Sequence, residues 1–189
     1  MKKLFALTVL ALLFSFALNA DEIRYNDSWS SQGFTLVQSE KSSVNIMHSV
    51  NSFNFVEVDV NGENMTAVIM PGVFLPNDEG APNLPGESRM IAVPLGATAK
   101  LNIKAMRTET FSNINIAPAP RIPLESDNSP LYYEKNMAIY GQNAYYPANP
   151  VILSEPMKVR GVDVVMLGVT PFQYNPVTKE LLVIRDIDF

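Results

Sequence analysis

The chain has 189 residues, 47% of them apolar, with 14 Lys+Arg, 19 Asp+Glu, one His and no Cys. That length suits one domain with its own hydrophobic core, and the apolar content excludes intrinsic disorder. Without Cys there is no disulfide, thiolate nucleophile or sulfur-based zinc site, one His cannot build a multi-histidine metal centre, and a net charge of −5 lacks the basic footprint of a nucleic-acid binder.

The first element is an export signal. Lys2 and Lys3 form a positive start, residues 4–18 are apolar apart from Thr8 and Ser15, and Asn19-Ala20 precedes the charged pair Asp21-Glu22. The apolar run falls short of the roughly 20 residues that span a bilayer. Residues 1–20 therefore read as a secretory signal peptide cleaved after Ala20, with Ser15-x-Ala17 a weaker site, and not as a stable membrane anchor. The expected destination is extracellular, with export through the periplasm. Losing Lys2 and Lys3 takes the charge from −5 to −7. With no disulfide staple, stability must come from the core.

Residues 21–189 read as one β domain. Val44, Ile46, His48 and Val50 alternate with polar or flexible neighbours, which is a strand pattern. Residues 53–60 alternate Val56, Val58 and Val60 against Glu57 and Asp59. Asn61-Gly62 follows, then a return strand over 65–70, which together predict a β-hairpin. All 14 prolines lie at or after Pro71. The first long loop spans residues 71–86. Ala99, Leu101, Ile103 and Ala105 then alternate with Lys100, Asn102, Lys104 and Met106 as a further strand.

Residues 117–130 form a second long loop carrying Pro118, Pro120, Pro123 and Pro130. Proline fixes φ and removes the backbone donor, so this segment is expected as an extended surface loop and not as a central strand. Long loops of this kind are either stiffened connectors or functional. Residues 162–169 and 181–187 are β-branched runs joined by the turn cluster Tyr174-Asn175-Pro176-Val177-Thr178-Lys179. No window sustains a helical period for three turns. The predicted fold is all-β, an antiparallel sandwich of two packed sheets.

Few residues point to chemistry. His48 is the one candidate base for a Ser-His-Asp arrangement, and it falls in phase with strand residues, so it reads as structural. The oxygen-rich runs Asn77-Asp78-Glu79-Gly80 and Glu125-Ser126-Asp127-Asn128 lack EF-hand spacing and read as turns. Trp29, with Tyr25 and Phe34, reads as core or interface before a sugar-stacking surface. No catalytic, cofactor-binding or metal-ligating residue is assigned. Tyr132-Tyr133 and Tyr145-Tyr146 are aromatic pairs of the kind enriched at protein interfaces.

Several motifs carry a family resemblance. They are Gly80-x-Pro82-x-Leu84-Pro85, then Ile91-Ala92-Val93-Pro94, then Ile116-Ala117-Pro118. Further on come Tyr140-Gly141-Gln142, Tyr145-Tyr146-Pro147, and Val159-Arg160-Gly161 leading to Gln173-Tyr174-Asn175-Pro176-Val177-Thr178-Lys179 and Leu181. From Thr66 to Phe189 the chain resembles the N-terminal propeptide of gingipain-type, clostripain-related cysteine peptidases. Residues 21–65 match only as generic strands.

The resemblance implies an all-β, non-catalytic domain ahead of a caspase-like catalytic domain with a Cys-His dyad, in a longer precursor of which this chain is a fragment. The domain would assist folding and hold that peptidase latent, with a loop lying across the active-site cleft. The partner would be the cognate cysteine-peptidase domain, in cis and downstream. In the relatives a basic side chain of that loop can occupy the primary specificity pocket. Here the best-aligned position falls near Leu124-Glu125, and neither is basic; Arg121, the loop's one basic residue, sits a few positions early. Either the register differs or the partner does not prefer basic residues. Arg121, Ile122, Pro123, Leu124 and Glu125 are thus the inhibitory-loop candidates. The alternative is a secreted β-sandwich module that binds glycan or a surface polymer and has no peptidase partner.

Overall fold

A computed structural model describes residues 20–73, 75, 78–127 and 129–189. The expected signal segment therefore lies outside the described residues, apart from Ala20. Asn77 and Asn128 of the two oxygen-rich runs lie outside them too.

The chain is all-β with antiparallel sheets, as its residue alternation predicts. Its strands fall into three hydrogen-bonded sheets. The first holds β1 (Ala20–Arg24), β4 (Ser52–Val60) and β5 (Glu63–Ile69), in the order β1-β4-β5. The second is built on β12 (Glu180–Asp188), which pairs with β11 (Phe172–Asn175), with β3 (Val44–Ser49) and with β7 (Ala105–Phe111); β2 (Gly33–Ser39) extends it beyond β3. The third is built on β10 (Val162–Val169), flanked by β6 (Glu87–Ala92), β8 (Val151–Leu153) and β9 (Met157–Val159). One short helix, α1 (Met137–Tyr140), is capped by the Asn136 side chain.

The packing adds a third layer to the expected pair, with the β12 sheet in the middle. Phe53 and Val68 of the first sheet pack with Phe172, Tyr174, Leu181 and Val183 of the second. On the other face, Ile46, Ile184 and Ile187 pack with Leu167 and Val169 of the third. A strand buried on both faces loses the simple alternation of a half-buried one. β12 also switches phase. Leu181 and Val183 face the first sheet, yet Ile184 and Ile187 both face the third. The register shift between Ile184 and Asp186 is a β-bulge that reverses the alternation midway.

Local chemistry explains the turns. Asn61 and Gly62 both take positive φ, 55° and 83°, as a two-residue hairpin connection between β4 and β5 requires. Between β11 and β12 the Asn175 side-chain oxygen accepts the N–H groups of Val177 and Thr178. The alternation over 99–106 is realised only in part. Pairing with β12 begins at Ala105, and the preceding residues are held by the Lys104 N–H to the Asp188 carbonyl and by packing of Leu101 on the second core.

A buried ionic clamp ties residues 27–32 to the middle sheet. The Asp186 carboxylate is fully buried and accepts from the Trp29 N–H (2.8 Å), the Ser49 hydroxyl (2.7 Å) and the Arg107 guanidinium (2.8 Å from Nε). Arg107 reaches on to Asp27, which Arg185 also contacts, and its guanidinium lies 5.5 Å from the Trp29 ring centroid. Trp29 is not core: it stays exposed, with its ring against that cation.

Candidate functional site

Among the described residues, His48 forms no nucleophile-activating arrangement. It is fully buried, its Nε2 lies 3.0 Å from Glu87, and its Nδ1 has no hydrogen-bond partner among the described residues. The pair links β3 of the middle sheet to the start of β6 in the third. The His48 hydrogen bond, ahead of the opposing effect of burial, holds the Glu87 carboxyl below the usual range. The two oxygen-rich runs use carboxylates for hydrogen bonds within the fold: Asp78 accepts from the distant Tyr146 hydroxyl, and Asp127 from the Ser129 N–H two residues on. Among the described residues no three His, Cys, Asp or Glu side chains gather as a metal site.

The proline-rich segment divides into a buried half and a projecting half. Residues 116–119 are buried, which corrects the expectation that the whole segment lies on the surface. They thread between β5 and residues 80–83. Ala117 donates to Thr66, Ala119 donates to Ala81, and the Ala117 carbonyl accepts from Asn83. Prolines are tolerated here because of their spacing. Donors at 117, 119 and 121 are all used, and Pro118 and Pro120 fall between them, where the ladder needs no N–H. Pro82 sits opposite Pro118 for the same reason.

Three tyrosines and one glycine buttress this platform. Tyr140 donates to the Ile116 carbonyl (3.0 Å), Tyr174 to the Ile114 carbonyl (3.0 Å) and Tyr146 to the Asp78 carboxylate (2.6 Å). Burial is the main cause that pushes all three hydroxyls above the usual tyrosine range, and Asp78 adds to it at Tyr146. They therefore remain donors across physiological pH. Gly80 has φ +78°, its N–H meets the Ala119 carbonyl, and its carbonyl receives the Asn136 N–H.

From the platform, residues 121–132 project as a pinched loop. The Arg121 N–H donates to the Tyr132 carbonyl (2.8 Å), closing its neck. At the tip, the Asp127 N–H donates to the Leu124 carbonyl (2.8 Å), and Asp127 Oδ1 accepts from Ser129. All five candidates lie on the outgoing limb and tip. Arg121, Ile122, Leu124 and Glu125 are exposed, and Pro123 is half-buried. Leu124 is 78% exposed and Ile122 67%. Arg121 stays at the neck, its Nε 3.8 Å from Glu79 of the platform. The structure brings in Leu131 and Tyr132 as the exposed returning limb. Tyr133 instead packs beside Val60, Met65 and Ala117, and Tyr146 against the first core, so one tyrosine of each aromatic pair is used inside the fold.

Sequence reasoning missed Glu79 and the role of Tyr140, Tyr146 and Tyr174. Their partners lie 24 to 68 residues away, and such pairings leave no local periodicity. The one available signal was that the motifs carrying the resemblance contain all three tyrosines, Gly80 and Pro82.

Comparison with known proteins agrees with that resemblance. The family model Propeptide_C25 matches residues 27–189, and so extends the similarity back through β5 to β2. A Lys-gingipain of Porphyromonas gingivalis is 25% identical over 146 residues, covering 74% of this chain and 8% of its own length. Gingipain R1 of the same species is 28% identical over 156 residues, covering 80% of this chain and 15% of its own. The chain thus spans less than a sixth of these curated relatives. Among solved structures, the complex of Porphyromonas gingivalis RgpB pro- and mature domains superposes with a TM-score of 0.73 at 23% identity, covering 82% of each chain. A structure addressing zymogenic latency of gingipain K from the same species gives 0.71 at 22% identity, covering 89% of this chain and 96% of that one.

Proposed function

The chain belongs to the Propeptide_C25 family, and on that premise we propose that it is the latency-maintaining propeptide of a secreted gingipain-like cysteine endopeptidase. It acts without chemistry of its own. The loop over residues 121–132 lies across the active-site cleft of a catalytic domain carried downstream in the same precursor. The rest of the β domain serves as a folding partner for that domain.

One observation carries this reading: a loop with exposed apolar limbs and a polar tip turn stands on a buried platform that fixes both of its ends. A cleft inhibitor must be extended where it binds, and ordered beforehand so that little entropy is lost on docking. The neck bond from Arg121 to Tyr132, the Leu124–Asp127 turn and the flanking prolines supply that order. The single histidine is buried against Glu87 and the chain has no cysteine, which supports a non-catalytic role. Arg121, Ile122, Pro123, Leu124 and Glu125 are proposed to make the cleft contacts. Residues 1–20 are proposed as a cleaved leader that sends the precursor out of the cell, on the strength of Lys2-Lys3 and the apolar run that follows.

The test is inhibition in trans. The purified chain is titrated against the active catalytic domain of the same precursor, with a peptide substrate as readout. Saturable inhibition that survives dilution into substrate is expected. Retention on a glycan array with no inhibition would replace this reading with that of a binding module.

A further inference from the structure

We propose that Leu124 is the anchoring side chain of the loop, and that the pocket it enters is apolar, so that the restrained peptidase cleaves after uncharged apolar residues. The inference rests on the occlusion reading above and adds the substrate class.

Three observations carry it. The first is exposure. Both limbs of the loop are apolar, with Ile122, Pro123 and Leu124 going out and Pro130, Leu131 and Tyr132 returning. Leu124 is the most exposed of its large apolar side chains, at 78% against 67% for Ile122, 56% for Tyr132 and 49% for Leu131.

The second is placement. Leu124 stands where the outgoing limb meets the tip turn. Its carbonyl is fixed by the Asp127 N–H at 2.8 Å, and Pro123 before it has a locked φ. A side chain held out at a loop's apex, with ordered backbone on both sides, has the form of a central anchor filling a desolvated pocket.

The third is charge. Glu125 and Asp127 are exposed beside Leu124. A pocket built for a cationic side chain presents negative charge, and two acids at its mouth would be repelled. An apolar pocket with a neutral or basic rim accepts the same loop. The loop's one cation is placed elsewhere. Arg121 sits at the neck, its N–H on the Tyr132 carbonyl and its guanidinium 3.8 Å from Glu79.

The test has two arms, both using the active catalytic domain of the same precursor. In the first, coumarin-releasing peptides with Leu, Lys or Glu before the scissile bond are compared by kcat/KM. The Leu peptide should lead by about 10-fold or more, the scale of burying one apolar side chain. In the second, the purified chain and its variants are titrated as inhibitors. Leu124→Ala should raise the inhibition constant about 10- to 100-fold with Tm unchanged, and Leu124→Asp should raise it further. Leu124→Met, which keeps the volume and apolar character of the anchor, should stay within about threefold of wild type. Tighter inhibition by Leu124→Lys, a preference for the Lys peptide, or no effect of Leu124→Ala would overturn the apolar assignment while leaving occlusion intact. Failure of the wild-type chain to inhibit at all would remove the occlusion reading, and this inference with it.

Discussion

Gly80 packs directly against the backbone of Glu134: a Cβ at position 80 would come within 2.9 Å of the Glu134 carbonyl oxygen and 3.1 Å of the Asn136 nitrogen. The segment that follows the loop's returning limb is thereby pressed onto the platform that carries the outgoing limb. Gly80→Ala meets two penalties, a positive φ of 78° and a clash with backbone that cannot rotate away. The expected cost is about 2–3 kcal/mol, or a Tm lower by roughly 4–10 °C. Gly62 is the control, because its φ is +83° with nothing within 4 Å of the added Cβ. Gly62→Ala should cost only about 1 kcal/mol. Equal Tm losses for the two variants would show that the contact with Glu134 contributes nothing.

The Asp186 clamp should dominate the stability of the middle sheet. Its carboxylate is fully buried and collects donors from Trp29, Ser49 and Arg107. Asp186→Asn leaves one oxygen but removes the charge that balances Arg107. Complete burial of such a pair would cost about 3–5 kcal/mol on truncation. Arg107 keeps 28% of its side chain in solvent, so about 2–4 kcal/mol is expected here. A urea midpoint unchanged in the variant would mean that the clamp orders residues 27–32 without stabilising the fold.

Acid should loosen the joint between the middle and third sheets. The His48 hydrogen bond is the first cause that lowers the Glu87 carboxyl, and Arg89, 3.5 Å away, acts in the same direction. A carboxyl depressed in the folded state contributes stability that is fully present above its unfolded value of about 4.3. That contribution is lost as pH falls through the lower folded value. Wild type should therefore lose more stability than Glu87→Gln as pH falls below about 4.3 and on through the lower folded value. Other lowered carboxyls, such as Glu63 and Asp163, titrate equally in both proteins, so the difference reports Glu87 alone. Parallel curves from urea titrations at each pH would remove the His48–Glu87 pair as a source of acid sensitivity.

What the sequence made legible was local. The Asn61-Gly62 connection, the Asn175 turn and the strands β10 and β12 each follow from chemistry within a few residues of their positions. What stayed hidden was long-range. The bulge near position 185 turns Ile187 toward the third sheet, and no alternation rule foresees it. The proline argument failed for residues 116–119 because it treated every proline as a lost ladder bond, whereas the prolines occupy only the alternate positions that need none. At the loop, the sequence marked residues 121–125 by alignment. It could not separate Arg121 at the neck from Leu124 at the tip, since that depends on where Tyr132 closes the ladder.

That neck makes the loop separable from the fold. Arg121 and Tyr132 face each other in an antiparallel bridge, so residues 122–131 can be replaced by Asn-Gly, a two-residue connection suited to that geometry. The described residues of this stretch are mostly exposed and lie outside all three cores. A shorter loop also lowers the entropy cost of closure. The shortened chain should keep its Tm within about 3 °C, less than 1–2 kcal/mol for a domain of this size. It should inhibit the catalytic domain at least about 100-fold less well, because the proposed anchor and its flanks are gone. A large fall in Tm would make the loop a structural element. Full inhibition by the shortened chain would move the occluding surface elsewhere on the β domain.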